Sequence, residues 1–235
     1  MLINKYKNTY NLNSIILNFS ILFLILITSV YTFKIYFNSI SISSYAYNEL
    51  FINYQFGFIR RGLLGQAFIF LNTNIDIEPI LFFTSVFFIL YVLQIILFLK
   101  IFKNFFISNF VLLILLFSPV FILFNIYDPN IYYVKDIFIK VSILFHAFVF
   151  IEKKKNGNYS DYLKSLKFLI IPIIIVVSLI HEYQFFFVGV HFLISLGFCN
   201  SKKNFIYLLK IYSIILIPFI LVIIFIGNES QYYEL

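Results

Sequence analysis

The chain is 235 residues long, 62% of them hydrophobic and 11% charged. Soluble domains carry roughly half apolar and about a quarter charged residues, so a water-soluble enzyme is excluded, and so is a disordered chain. The net charge of +7 is no nucleic-acid signature either, because twelve of the 17 basic residues fall in four short clusters between apolar runs. The single cysteine, Cys199, cannot form an internal disulfide, and no CxxC or Cys/His pair points to a structural metal.

A helix needs about 20 apolar residues to cross a bilayer core. Taken in chain order, residues 15–33 form the first candidate span. It is longer than a signal-peptide core and lacks an A-x-A-like exit, so it reads as an uncleaved signal anchor. Residues 38–79 then form a long loop, in which 63–71 is apolar but too short to span and reads as an interfacial or re-entrant helix. Candidate spans follow at 80–99, 106–127 and 137–151. The next apolar stretch, 168–199, is 32 residues long and is interrupted by His181-Glu182-Tyr183-Gln184. A polar quartet at mid-membrane costs several kcal/mol, whereas a turn between two short spans, 168–180 and 185–199, avoids much of that. The last span is 205–226.

The expectation is an all-α polytopic bundle of about seven spans, forming one integral membrane domain over residues 1–235. No internal repeat or Gly/Ser/Pro-rich linker divides it. Orientation follows from lysine placement. Lys5 and Lys7, Lys100 and Lys103, Lys153 to Lys167, and Lys202 to Lys210 all fall on one side when seven spans are counted. That side is the cytoplasm, which puts the N-terminus inside and the C-terminus outside a bacterial cytoplasmic (inner) membrane.

With this topology eight of the ten acidic residues lie outside, and so do both arginines. Three polar constellations meet there. In the first, Glu49 precedes Arg60 and Arg61, which sit just before the short apolar helix. A helix N-terminus offers free N–H groups and partial positive charge, and arginine adds bidentate donors. A chain with 15 lysines and two adjacent arginines uses arginine where planar recognition matters. Phosphate binding is one reading of this pair; snorkelling to lipid headgroups is the other.

In the second constellation, Asp128-Pro129-Asn130 reads as a turn, and Lys135-Asp136 opens a span. Asp136 serves either as a helix-terminal acid or as a catalytic carboxylate, and Lys135 is a further phosphate ligand. In the third, His181 and Glu182 supply a general base. HExxH is absent because Phe185 stands at its second histidine. His146 and His191, inside spans, read as packing histidines. P-loop, GxGxxG and GxSxG motifs are missing, so nucleotide chemistry and hydrolase triads lack support.

A basic site beside carboxylates at a membrane surface suits a lipid-linked sugar. In such a transfer an acceptor hydroxyl attacks the anomeric carbon while the lipid phosphate or diphosphate leaves. Arg60, Arg61 and Lys135 would stabilise the leaving group, and Glu182, His181, Glu49 or Asp136 would serve as base. Neither metal nor cofactor is required.

Phe56-Gly57-Phe58-Ile59-Arg60-Arg61-Gly62-Leu63-Leu64-Gly65, with Lys135-Asp136 and His181-Glu182, resembles a group of bacterial multi-pass proteins associated with surface polysaccharides. Their general look is similar to O-antigen or capsule polymerases, and the resemblance covers roughly residues 45–190. It implies glycan polymerisation on polyprenyl-linked sugars, alongside other membrane proteins of polysaccharide assembly. Such polymerases usually have more spans than this chain. A C-type glycosyltransferase, a transporter or flippase of a lipid-linked anion, and a non-catalytic membrane subunit are the alternatives. Transport predicts charges along several spans, and here Lys140 and His146 nearly stand alone.

Overall fold

The computed structural model describes residues 2–37, 45–54, 62–102, 132–155, 157, 159–199 and 201–224, and all secondary structure among them is helical. Helix α1 spans Leu2–Phe37. A short helix α2, Tyr45–Asn48, continues into a 3₁₀ turn at Glu49–Phe51. Helix α3 spans Leu63–Ile75 and α4 Pro79–Phe102. Then come α5 (Asp136–Lys155), α6 (Tyr159–Ser165), α7 (Ile171–Ile180), α8 (Gln184–Leu196), α9 (Lys202–Tyr212) and α10 (Leu216–Ile224).

Four helical runs are long and apolar enough to cross a membrane: Asn18–Phe37, Pro79–Phe102, Tyr159–Ile180 and Lys202–Leu221. Helices α3 and α8 are apolar but shorter. The expected span 137–151 lies within α5, whose last turn carries Lys153, Lys154 and Lys155. The expected span 106–127 and the Asp128-Pro129-Asn130 turn lie outside the described residues.

The helical run that carries the expected span 168–180 starts ahead of it. One 22-residue run extends from Tyr159 to Ile180, so Lys164 and Lys167 ride on a helix rather than in a loop. Its first turns are tied by a Lys164–Asp161 pair at 3.9 Å and by Ser165 Oγ donating to the Asp161 carbonyl at 3.0 Å. The run widens to a π-turn at Leu166–Ile170, just ahead of Pro172. Proline has no N–H to give and its ring collides with the carbonyl four residues back; the wider turn relieves both. A 3₁₀ turn at Ser213–Ile215 stands before Pro218 in the same way and joins α9 to α10.

The break inside residues 168–199 falls at the polar quartet. Helix α7 stops at Ile180, His181 is extended (φ −150°, ψ 110°), and α8 starts at Gln184. The turn is closed by Gln184 N–H to the His181 carbonyl at 3.1 Å and Phe185 N–H to the Glu182 carbonyl at 3.0 Å.

Buried apolar residues gather into two clusters. One joins α1, α3, α4 and the start of α5 through Leu24, Phe68, Phe83, Phe87, Tyr91 and Ile137. The other joins the end of α5 to α6, α7 and α9 through Val149, Tyr162, Ile174 and Leu208. Large apolar side chains such as Phe19, Phe33, Phe168 and Phe186 remain exposed, as lipid-facing positions require.

Candidate functional site

The segment ahead of α5 is irregular but firmly held. Tyr132 and Tyr133 are fully buried. The Tyr133 hydroxyl pairs with Thr84 of α4 at 2.8 Å, and the Tyr132 hydroxyl pairs with Thr32 of α1 at 3.0 Å. The Tyr91 hydroxyl donates to the Tyr132 carbonyl at 2.8 Å. These bonds fix where Lys135 and Asp136 enter the bundle.

Lys135 is buried, and its ammonium donates to the Glu49 carbonyl at 2.9 Å. It therefore pins the 3₁₀ turn that carries Glu49, instead of standing open at the surface. Helix α3 docks on the same turn. A Cβ on Gly65 would run into the Ile52 carbonyl oxygen and come within 2.9 Å of the Leu50 carbonyl oxygen, so only glycine permits this approach. Gln66 Oε1 adds a bond from the Tyr54 N–H at 3.1 Å. Arg60 and Arg61 lie outside the described residues; α3 begins at Leu63, directly after Gly62.

Asp136 opens α5 with its side chain half exposed, and its Oδ1 lies 2.8 Å from His181 Nε2. His181 is largely buried, and its other ring nitrogen lies 3.9 Å from Glu182 Oε2. The histidine thus sits between two carboxylates contributed by different parts of the chain. Its hydrogen bond, opposed by burial and helped by the charge on His181 and Lys140, holds the Asp136 carboxyl below the usual carboxylate range. For His181, burial pushes down, but the hydrogen bond with Asp136 and the charges of Asp136 and Glu182 outweigh it and raise the ring above its ordinary value. The arrangement stabilises an imidazolium beside two ionised acids.

Three sequence constellations therefore meet through backbone and side-chain bonds: Glu49 by its carbonyl, Lys135 and Asp136 at the head of α5, and His181 and Glu182 at the α7–α8 turn. Of the three side chains in the carboxylate–imidazole–carboxylate group, that of Asp136 is the most exposed. His181 is the group that holds the two carboxylates together.

Between α1 and α4 lies a cavity of about 320 Å³ lined by Ser29, Thr32, Phe33, Tyr36, Leu81, Thr84, Ser85 and Phe88. Ser29 gives its hydroxyl to the Ile25 carbonyl at 2.8 Å, and Thr32 and Thr84 hold the two tyrosines. What it presents is mainly carbon surface.

A second polar group, which sequence reasoning missed, lies inside the bundle. Ser142 and His146 of α5, Tyr162 of α6, Gln184, His191 and Ser195 of α8, and Tyr212 of α9 are all buried. The two imidazoles, expected only as packing residues, lie nearly parallel with their centres 5.2 Å apart and their Nδ1 atoms 3.0 Å apart. The signal was present as helical spacing: Ser142 and His146 are four apart, and Gln184, His191 and Ser195 are seven and four apart. Each set marks one polar stripe on an apolar helix.

Comparison of the chain with protein-family models, with curated proteins and with solved structures finds no match.

Proposed function

We propose that the protein transfers or polymerises glycans on polyprenyl phosphate- or diphosphate-linked sugars at the outer face of the bacterial cytoplasmic membrane. The observation that carries this reading is the His181–Asp136 contact of 2.8 Å, which brings residues 45 positions apart into one carboxylate–imidazole–carboxylate group. In this reading the chain crosses the membrane about seven times with its N-terminus inside, so that the group faces outward.

The chemistry needs one base and one cationic clamp. The acceptor hydroxyl oxygen bonds to the anomeric carbon as the bond from that carbon to the lipid phosphate oxygen breaks. The leaving phosphate departs with the electron pair, and its charge is met by Arg60 and Arg61. The hydroxyl proton passes to a carboxylate, Glu182 or the more exposed Asp136, while His181 positions both. Lys135 acts through the Glu49 turn, and the carbon-lined cavity between α1 and α4 suits the isoprenoid chain of the carrier.

Replacing Arg60 and Arg61 by Ala is expected to abolish long-chain surface polysaccharide while leaving the protein in the membrane. Glu182→Gln and Asp136→Asn decide between the two bases. An unchanged chain-length profile on a polysaccharide gel for all three would sink the reading.

A second reading, transport of a lipid-linked anion, gains support from the polar group inside the bundle. Accumulation of unpolymerised carrier-linked sugar on the inner leaflet, rather than the outer, would favour it.

A further inference from the structure

The lysines of the second half of the chain are of two kinds. Lys155 and Lys164 are paired, with Glu152 at 3.7 Å and with Asp161 at 3.9 Å. Lys167, Lys203 and Lys210 are exposed and have no acidic partner among the described residues. The sequence offers them none nearby, because residues 162–181 and 201–224 contain neither Asp nor Glu.

These three converge. Lys203, Tyr207 and Lys210 stand four and three apart on α9, the spacing that puts side chains on one helix face, with neighbouring Cβ atoms about 5–6 Å apart. Lys167, in the π-turn Leu166–Ile170, reaches across and lays its ammonium over the Tyr207 ring, 4.9 Å from the ring centre. A second helical run thus brings a third cation to a face that already carries two. The negative face of the ring attracts an ammonium, but like charges on one face repel. Orientation in the membrane asks only for lysines in the connections. It does not ask that two runs turn them onto one tyrosine, and what such a cluster lacks is an anion.

The surroundings indicate what carries that anion. Phe168, next to Lys167, is 81% exposed, and Ile214, one turn beyond Lys210, is exposed as well. They lead from the lysines onto the carbon surface of Tyr159–Ile180 and Lys202–Leu221, both long and apolar enough to cross a membrane. A free phosphate or an acidic peptide would meet the lysines and leave that carbon uncovered. A phospholipid meets both, and lysine stems on spanning helices carry their ammoniums to headgroup depth.

We propose that Lys167, Lys203 and Lys210, gathered around Tyr207, bind the phosphate of an anionic phospholipid whose acyl chains run along Phe168 and Ile214. A choline headgroup cancels its phosphate with its own ammonium, so the cluster selects lipids that lack one. The site uses none of Asp136, His181 or Glu182, and it stands or falls apart from the glycan-transfer reading.

The test is native mass spectrometry of the full-length protein, stripped of lipid in detergent and titrated with phosphatidylglycerol or phosphatidylcholine of matched acyl chains. The native chain is expected to retain phosphatidylglycerol more tightly. Each lysine beside an anionic headgroup contributes about a fivefold gain, so Lys167→Gln, Lys203→Gln and Lys210→Gln combined should lower phosphatidylglycerol to the phosphatidylcholine level. Lys153→Gln, Lys154→Gln and Lys202→Gln combined remove the same charge from outside the cluster and should leave retention as in the native chain. Should the first combination fail to fold, Lys167→Gln alone is expected to show the single-lysine loss, and Lys167→Arg, which keeps the charge, to show none. Equal retention of the two lipids by the native chain would overturn the site, as would equal losses in the two triple variants. Displacement of phosphatidylglycerol by excess inorganic phosphate would overturn it too, by revealing a site for the free anion.

Discussion

Histidine serves in two opposite environments within this bundle. His181 lies at a helix break between Asp136 and Glu182, where its charge is wanted. His146 and His191 lie two to three turns deeper, face each other, and meet only neutral partners: Tyr162, Gln184 and Ser142. At the turn, carboxylates outweigh the desolvation of an imidazolium. In the interior, hydroxyls and amides satisfy both nitrogens without any charge, which is the cheaper solution where water is absent. The comparison shows that the residue type does not set the role. Distance from water and the sign of the neighbours do.

The largest effect is expected from breaking the interior group. His146→Leu strands His191 Nδ1 and takes one partner from the Tyr162 hydroxyl, at roughly 1–3 kcal/mol for each buried unsatisfied group, and thermal unfolding in detergent micelles reports the loss. His146→Leu with His191→Leu should cost less than the sum of the singles, because the second change removes a group the first has orphaned. Strict additivity would mean that the rings do not act as a pair.

At the other region, Lys135→Met keeps the aliphatic stem and deletes the bond to the Glu49 carbonyl. A hydrogen bond from a charged donor contributes about 1.5–3 kcal/mol, and the same melt measures it. Gly65→Ala forces α3 off the Glu49–Phe51 turn, an overpacking worth about 1–3 kcal/mol. Polysaccharide length should fall with it if the Glu49 turn belongs to the site. As a control outside both regions, Ser201→Ala removes the cap that accepts the Asn204 N–H at 3.2 Å. It should cost about 1 kcal/mol and leave polysaccharide intact.

The smallest effect is the pH dependence of the His181–Asp136 pair, since Asp136 is half exposed and screened. His181 is raised in the folded state, so its contribution is full below about pH 6.5 and fades as pH rises through the raised value. Asp136 is lowered, so its contribution is full above about pH 3.9 and is lost on acidification through the lowered value. The pair is therefore strongest between about pH 4 and 6.5. Native protein should exceed Asp136→Asn in melting temperature by more at pH 5.5 than at pH 8.5. An equal margin at both would show that the pair is not ionised.

Much of the helical layout was legible from apolar run length. The break at His181-Glu182-Tyr183-Gln184 and the short helix after Gly62 both stand out as polarity changes in an apolar background. The start of the Tyr159–Ile180 run was not legible, because Lys164 and Lys167 resemble loop residues until the Asp161 pair and the continuing helix absorb them. Arg60 and Arg61 keep the role the sequence suggests for them only as part of the proposed reaction.

Pairing across the bundle was beyond reach in one dimension. Asp136 was readable as a helix-terminal acid and His181 as a turn residue, but not their contact. Lys135 was readable as a charged residue at the head of a span, but its burial against the Glu49 carbonyl was not. The composition excludes a soluble enzyme because hydropathy is a sum over neighbours in sequence, and such a sum needs no fold. Which histidine is the charged neighbour of acids, and which two are neighbours of hydroxyls and an amide, was decided by the tertiary structure. That choice depends on which faces of distant helices meet, and only packing determines it.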